Sequence, residues 1–218
     1  MSIKSLEERI ERLEAIQEIQ NLMGRMQYYM SSGMSWKNVD LYATKTPGVT
    51  VEAGDSGIFE GTEGVNKVYL GIHGMLSKNR VGALVEHDLT TPVIEIAGDG
   101  KTAKGVWACP GASAYPDADT GQLQAYWVWV KYGVDFVKED GKWKIWHFKV
   151  YATFETPYDK GWVKWPHPSI MQPKASADAP KFKDFPPDKP TVYHRPYDPK
   201  AETGTEPLPP EPYETFEE

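Results

Sequence analysis

Residues 123–138 and 142–154 are two runs that alternate in steps of two and meet at Glu139-Asp140-Gly141. Asp-Gly between alternating runs is a tight-turn signal, so they predict a long β-hairpin. Their composition constrains the fold further. One face of the first run carries Tyr126, Val128, Val130, Tyr132, Val134 and Phe136. The other carries Trp127, Trp129 and Val137, interrupted by Lys131 and Asp135. In the second run Trp143, Ile145 and Tyr151 oppose Trp146, Phe148 and Val150. A sheet with one wet face alternates cleanly between apolar and polar. This one does not, so both faces are expected to be covered: one by helices, the other by a second subunit or by the remaining chain.

The preceding residues supply the helices. Ser5 and Glu8 have capping-box spacing at the head of a predicted helix over residues 5–32. Leu6, Ile10, Leu13, Ile16, Ile19, Met23, Met26 and Met30 form its apolar stripe, and Gly33 is its cap. A short helix is expected over 36–42. Strands follow at 49–52 and 58–61, then a helix over 62–75 with Thr62 as N-cap. Residues 87–97 read as one strand ending at Gly98-Asp99-Gly100, and 102–109 as the next. Residues 110–120 read as a polar loop. Helices first and hairpins after make this an α+β order rather than a βαβ one. From Pro157 onward the periodicity is lost, and 14 of the 18 prolines stand there. Such a segment buries little, but Trp162, Phe185, Tyr193, Tyr197, Tyr213 and Phe216 suit a tail that wraps a surface. The division expected is a domain over 1–156 and an extended Pro-rich tail over 157–218, its last stretch mobile.

Composition removes several function classes. The single cysteine, Cys109, excludes an internal disulfide and fits a reducing, cytoplasmic setting. No signal core or membrane-length apolar run is present. A net charge of -7 disfavours nucleic acid as a partner. No phosphate loop, dinucleotide fingerprint, nucleophile elbow or close metal-ligand spacing occurs, so neither cofactor nor metal is expected. The 8 Trp and 12 Tyr suit a pocket for a flat apolar ligand, an oligomer interface, or both.

Three motifs carry a resemblance. The run from Leu13 to Trp36 leads into Val49-Thr50-Val51-Glu52 and Phe59-Glu60-Gly61-Thr62-Glu63-Gly64. His87-Asp88-Leu89-Thr90-Thr91-Pro92-Val93-Ile94 and Asp135-Phe136-Val137-Lys138-Glu139-Asp140-Gly141-Lys142-Trp143 follow. Their order over roughly residues 10–155 resembles SnoaL-like domains of the nuclear-transport-factor-2-like superfamily. The resemblance implies a cone-shaped α+β barrel: a curved antiparallel sheet on N-terminal helices, with an apolar pocket at the wide end. It includes dehydratases, cyclases, isomerases, formaldehyde-releasing lyases and noncatalytic binders.

His87 matches the histidine that acts as general base or acid in dehydratase relatives, and imidazole titrates near working pH. Those relatives place an aspartate near the end of the first helix; here Ser32 stands there, and a second acidic position falls near Gly111. Tyr29, on the flank of the stripe, is the candidate proton donor or oxyanion partner. His147, among aromatics, is a second catalytic candidate. Asp135 either orients a histidine or pairs with Lys131 on a subunit surface. Trp107, Trp127, Trp129 and Tyr28 are candidate substrate walls. The reading that follows is a cofactor-independent lyase, dehydratase or isomerase acting on an aromatic or polycyclic small molecule. A noncatalytic ligand binder and an assembly subunit of a ring-hydroxylating oxygenase type are the alternatives. The two-sided apolar sheet predicts a homodimer: sedimentation at twice the chain mass is expected, and a monomeric mass removes that expectation.

Overall fold

The computed structural model describes residues 5–76, 80–116, 122–165, 184–192 and 195–216. Tyr193 lies outside the described residues. Helix α1 spans Leu6–Ser31 and opens with the expected capping box, Ser5 to the Glu8 backbone N–H and the Glu8 carboxylate to the Ser5 N–H. It closes with paired bonds from Gly33 N–H to Met30 C=O and from Met34 N–H to Tyr29 C=O, the two-bond ending that satisfies terminal carbonyls. Ala15, Ile19, Leu22, Met23 and Met26 are buried. Leu6 and Leu13, at 71% and 67% exposed, are not. The helix is buried only from Ala15 onward, and most of its first turns are exposed. There Arg12 donates to the carbonyls of Ile96 and Ala97.

A 3-10 helix, Ser35–Leu41, leads to strands β1 (Thr50–Glu52) and β2 (Ile58–Glu60). Helix α2 (Gly61–Asn66) continues through a π-helical turn, Lys67–Ile72, into α3 (His73–Leu76). Its apolar side, Val65, Val68, Tyr69 and Ile72, is buried as expected. Thr62 is not its cap. The N-cap is Glu60, with no side-chain bond, and the Thr62 hydroxyl donates to Thr44 C=O instead.

The remaining strands are β3 (Leu84–His87), β4 (Thr90–Ile96), β5 (Thr102–Pro116), β6 (Leu123–Glu139) and β7 (Lys142–Pro157). The curved sheet runs β2-β1-β7-β6-β5-β3, with β4 also on β5. It is open rather than a closed barrel, and mixed rather than wholly antiparallel, since β1 runs parallel to β7. Two expectations fail at one place. The strand expected over 87–97 is broken, and the loop expected over 110–120 is strand as far as Pro116. Pro92 cannot donate to the ladder, and the pairing of β4 shifts between Thr90 and Val93. Pro110 is tolerated inside β5 because it faces the gap where β3 has ended and β4 has not begun. Its carbonyl accepts there from Asp88 N–H.

The tail covers much of the outer face. Residues 184–192 pair with β2 through Ile58 and Lys189, and Asp188 binds Lys67 at 2.8 Å. Farther on, Tyr213 C=O and Glu214 C=O accept from Gly98 N–H and Asp99 N–H. The Lys104 ammonium lies over the rings of Tyr213 and Phe216, and Phe216 packs on Trp146 at 4.9 Å. The stretch after Glu202 is thus tied to the sheet as far as Phe216, contrary to the mobile end expected. No described helix is long and apolar enough to cross a membrane. Phe216→Ala removes a half-buried ring and a cation–π partner. It is expected to cost about 1–2 kcal/mol in urea unfolding.

Candidate functional site

Residues directly opposite one another on antiparallel strands point to the same face. Tyr126, Val128, Val130, Tyr132, Val134 and Phe136 of β6 face inward toward α1, and their partners do the same. One register row runs His87, Gly111, Val128, Glu155 across β3, β5, β6 and β7. The next runs Val85, Ser113, Tyr126, Pro157.

Glu155 faces inward because of a bulge. On β7 the inward residues are Trp143 and Ile145, then Phe148, Val150 and Ala152, then Glu155. Parity changes at Trp146 and again at Thr153, each an extra residue against β6. Without the second bulge Phe154 and Thr156 would point inward and Glu155 outward.

His87 is half-buried, but its Nε2 is shut off from solvent and has no hydrogen-bond partner among the described residues. Its Nδ1 is 3.3 Å from the Tyr132 hydroxyl, which is 3.0 Å from Gln27 Nε2 of α1. The Gln27 amide donates to the Tyr132 oxygen. In the tautomer with the ring proton on Nε2, Nδ1 accepts from the Tyr132 hydroxyl; in the other, Nδ1–H donates to that oxygen. Burial lowers the His87 pKa to about 4, against the opposing pull of Asp88, so the imidazole is neutral at pH 7. Tyr42 and Tyr69 share a 2.7 Å hydroxyl contact in the same core. Burial pushes both phenols, and that of Tyr132, well up.

Glu155 is 4% exposed. Tyr115, stacked on Tyr126 with ring centres 4.8 Å apart, donates a hydrogen bond to its Oε1. Oε2 has no partner among the described residues, and the buried Ser113 hydroxyl stands close enough to the Tyr115 hydroxyl to favour its ionised form. Burial raises the Glu155 carboxyl to about 7, opposed by the Tyr115 bond.

Of the other expected residues, Trp107 shares the inward face, opposite Tyr132. Trp107 is buried in the core, edge-on to Phe136. Trp127 and Trp129 are on the outer face, 38% and 36% exposed, with Trp129 stacked on Phe154. Tyr28 is solvent-exposed, and the Tyr29 ring lies beneath the Lys37 ammonium. The hydroxyl that reaches His87 therefore belongs to Tyr132, not Tyr29. Asp135 does bind a histidine: its Oδ2 is 2.9 Å from His147 Nδ1. That pair is on the outer face, in a cleft of about 420 Å³ closed by tail residues Pro207, Leu208 and Pro210, on the opposite side of the sheet from His87. Ser32 is the C-cap of α1 and bonds the Tyr28 carbonyl. Among the described residues no three His, Cys, Asp or Glu side chains are grouped to hold a metal ion.

A curved sheet folded over N-terminal helices defines the α+β class of this domain. The chain belongs to the SnoaL-like domain family, whose model matches residues 11–149. No curated protein matches it significantly in sequence. Among solved structures it is similar to a protein from Novosphingobium aromaticivorans DSM 12444 assigned as a scytalone dehydratase. That match has a TM-score of 0.56 and 16% identity, covering 76% of this chain and 99% of that one. It is also similar to hexachlorocyclohexane dehydrochlorinase LinA-type3 from Novosphingobium barchaimii LL02. There the TM-score is 0.53 and identity 16%, covering 68% of this chain and 93% of that one. At these identities the likeness is one of fold.

Two outcomes follow from the geometry. A Cβ on Gly111 would lie 2.2 Å from Glu86 C=O and 2.6 Å from His87 Cδ2. Gly111→Ala is therefore expected to displace β3 and to cost about 1–3 kcal/mol in thermal unfolding. For Glu155 the folded pKa is raised, so its contribution to stability is full below about pH 4.5 and lost as pH rises through 7. Glu155→Gln is expected to gain about 1–3 kcal/mol on wild type across that window, measured by urea unfolding at its two ends.

Proposed function

We propose that this protein is a cofactor-independent lyase of the dehydratase or related elimination type, acting on an aromatic or polycyclic small molecule. The observation that carries the reading is His87: a neutral imidazole, oriented through Nδ1 by Tyr132, with a buried and unpartnered Nε2 on the concave face. A buried polar atom without a partner costs about 1–3 kcal/mol, a cost that a substrate oxygen would relieve. The N–H on Nε2 would meet a carbonyl or phenolic oxygen of the substrate and stabilise the negative charge that develops there when a neighbouring C–H bond is broken. Tyr132 would act behind the ring, holding its tautomer. Trp107 and Phe148 supply apolar surface around Tyr132 and the core. The names of two fold relatives, a scytalone dehydratase and a dehydrochlorinase, lend the class general support.

The experiment is mass spectrometry of phenolic, diaryl and steroid-like compounds incubated with the purified protein and no added cofactor. Loss of water, formaldehyde or another small group from one compound is expected. His87→Ala should then lower the rate by roughly a hundred- to thousandfold with the fold intact by circular dichroism. Full activity of His87→Ala would overturn the assignment. Thermal stabilisation by a compound that is never converted would favour the ligand binder.

A further inference from the structure

We infer that the half of the outer sheet face left open by the tail is an interface for a second copy of this chain. The two copies join about a two-fold axis that runs along the strands between β5 and β6, and the aromatic ridge of each sits on the small-residue shelf of the other.

The last part of the tail reaches across the outer face as far as Lys131, whose ammonium donates to Glu206 C=O, and Thr153, whose carbonyl accepts from Tyr197 N–H. Beyond these residues the outward side chains fall into two groups. On β6 and β7 they build a ridge. Trp129 stacks on Phe154 and Phe154 on Trp162, each pair with ring centres 5.2 Å apart. Trp127 lies 6.2 Å from Trp129 and 6.0 Å from Tyr158. On β5 they build a shelf. Pro110, Ala112 and Ala114 stand opposite Trp129, Trp127 and Ala125, so they share the outward face, and each is part-exposed. Tyr158, Trp162 and, at the far edge on β3, Leu84 are 66%, 45% and 42% exposed. An exposed apolar patch of this extent marks an interaction site.

The pattern of the patch identifies its occupant. Ridge and shelf lie side by side on one copy. A two-fold axis in the plane of the face, parallel to the strands, carries each ridge onto the opposite shelf. A two-fold across the strands sets ridge against ridge. Charge makes the same choice. At the shelf edge Glu86 projects outward from β3 opposite Ala112, with exposed Asp88 two residues on. At the ridge edge Lys160 and Lys164 stand on the turn that folds Trp162 back over Phe154. Among the described residues Glu86, Asp88 and Lys164 have no ion pair, and Lys160 meets only its neighbour Asp159, at 3.6 Å. The axis along the strands brings the acidic edge of each copy to the basic edge of the other. The axis across them brings like edges together, which charge repulsion opposes. Strands of the two copies then run nearly parallel, the aligned form of sheet-on-sheet packing.

The test is sedimentation of the purified full chain and three variants. Wild type is expected at twice the chain mass. Ala112→Arg puts a long charged side chain on the shelf and is expected to weaken the dimer at least roughly tenfold. Glu86→Lys with Asp88→Lys makes both edges basic, and Lys160→Glu with Lys164→Glu makes both acidic. Each of these alone is expected to be monomeric where wild type is dimeric. Their equimolar mixture is expected to form a one-to-one dimer, because the two reversals restore both edge contacts between copies. A monomeric wild type, or an assembly of any other order, overturns the inference. A dimer that all three variants leave unchanged overturns it, as does a mixture of the two reversed proteins that stays monomeric. Where a reversed protein fails to fold by circular dichroism, Ala112→Arg decides: a folded Arg variant that pairs as tightly as wild type overturns the inference, and a folded monomer supports it.

Discussion

Strand β6 is the reference against which the rest of the molecule is laid out. A strand has only two faces, and a shift of one residue moves every following side chain across. Strand β6 keeps one parity throughout, with its even-numbered residues inward. Strand β7 does not, because Trp146 and Thr153 are each inserted against it. The first insertion turns His147 out to Asp135 and brings Phe148 in beneath Tyr132. The second turns Phe154 out to Trp129 and brings Glu155 in beside Tyr115. The polar chemistry of both faces thus follows from two extra residues. The same insertions bend the strand, which gives the sheet a concave side.

Desolvation then acts on that side with one sign for the imidazole and the other for the carboxyl. Water is excluded, so each group is pushed toward its uncharged form: His87 downward and Glu155 upward. Among the described residues neither has an ion pair, and Tyr132 and Tyr115 each satisfy one polar atom of their partners. Nε2 and Oε2 stay unmatched among the described residues. Interiors built for stability alone match such atoms. The outer face shows the contrast. There Glu52 meets Lys149 at 3.2 Å and Asp135 meets His147, each polar group with a partner.

Much of this was legible in the sequence, and the failures have physical causes. The capping box at Ser5, the turn at Asp140-Gly141, where both residues have positive φ, and the inward parity of β6 are local signals that tertiary contacts left intact. His87 could be named because its motif survives in the family pattern. Tyr132 was visible as an inward residue, but nothing local distinguished it from Tyr29. That choice depends on Gln27, which meets it across 105 positions. Glu155 was hidden because period-two counting from Lys142 fails at each bulge, and bulges leave no local mark when the inserted residues are Trp and Thr. Pro110 read as a loop signal because a proline inside a sheet is excluded unless the neighbouring strand is broken opposite it. That break is a property of the pairing and not of the residues around Pro110.

The tail has a consequence for how the molecule assembles. The Tyr213 hydroxyl meets Thr102 across 111 positions, and the neighbouring backbone bonds to Gly98 and Asp99 span comparable distances. Contacts so far apart in sequence form only after a large loop has been closed, which slows folding. During synthesis the sheet from β1 to β7 leaves the ribosome well before residues 213–216. For that interval Trp146, Lys104 and the His147–Asp135 pair face the solvent uncovered, and an aromatic sheet face is an adhesive surface for other nascent chains. The strap is thus the last seam to close, and the chain depends on its most distal described residues to mask a surface made much earlier.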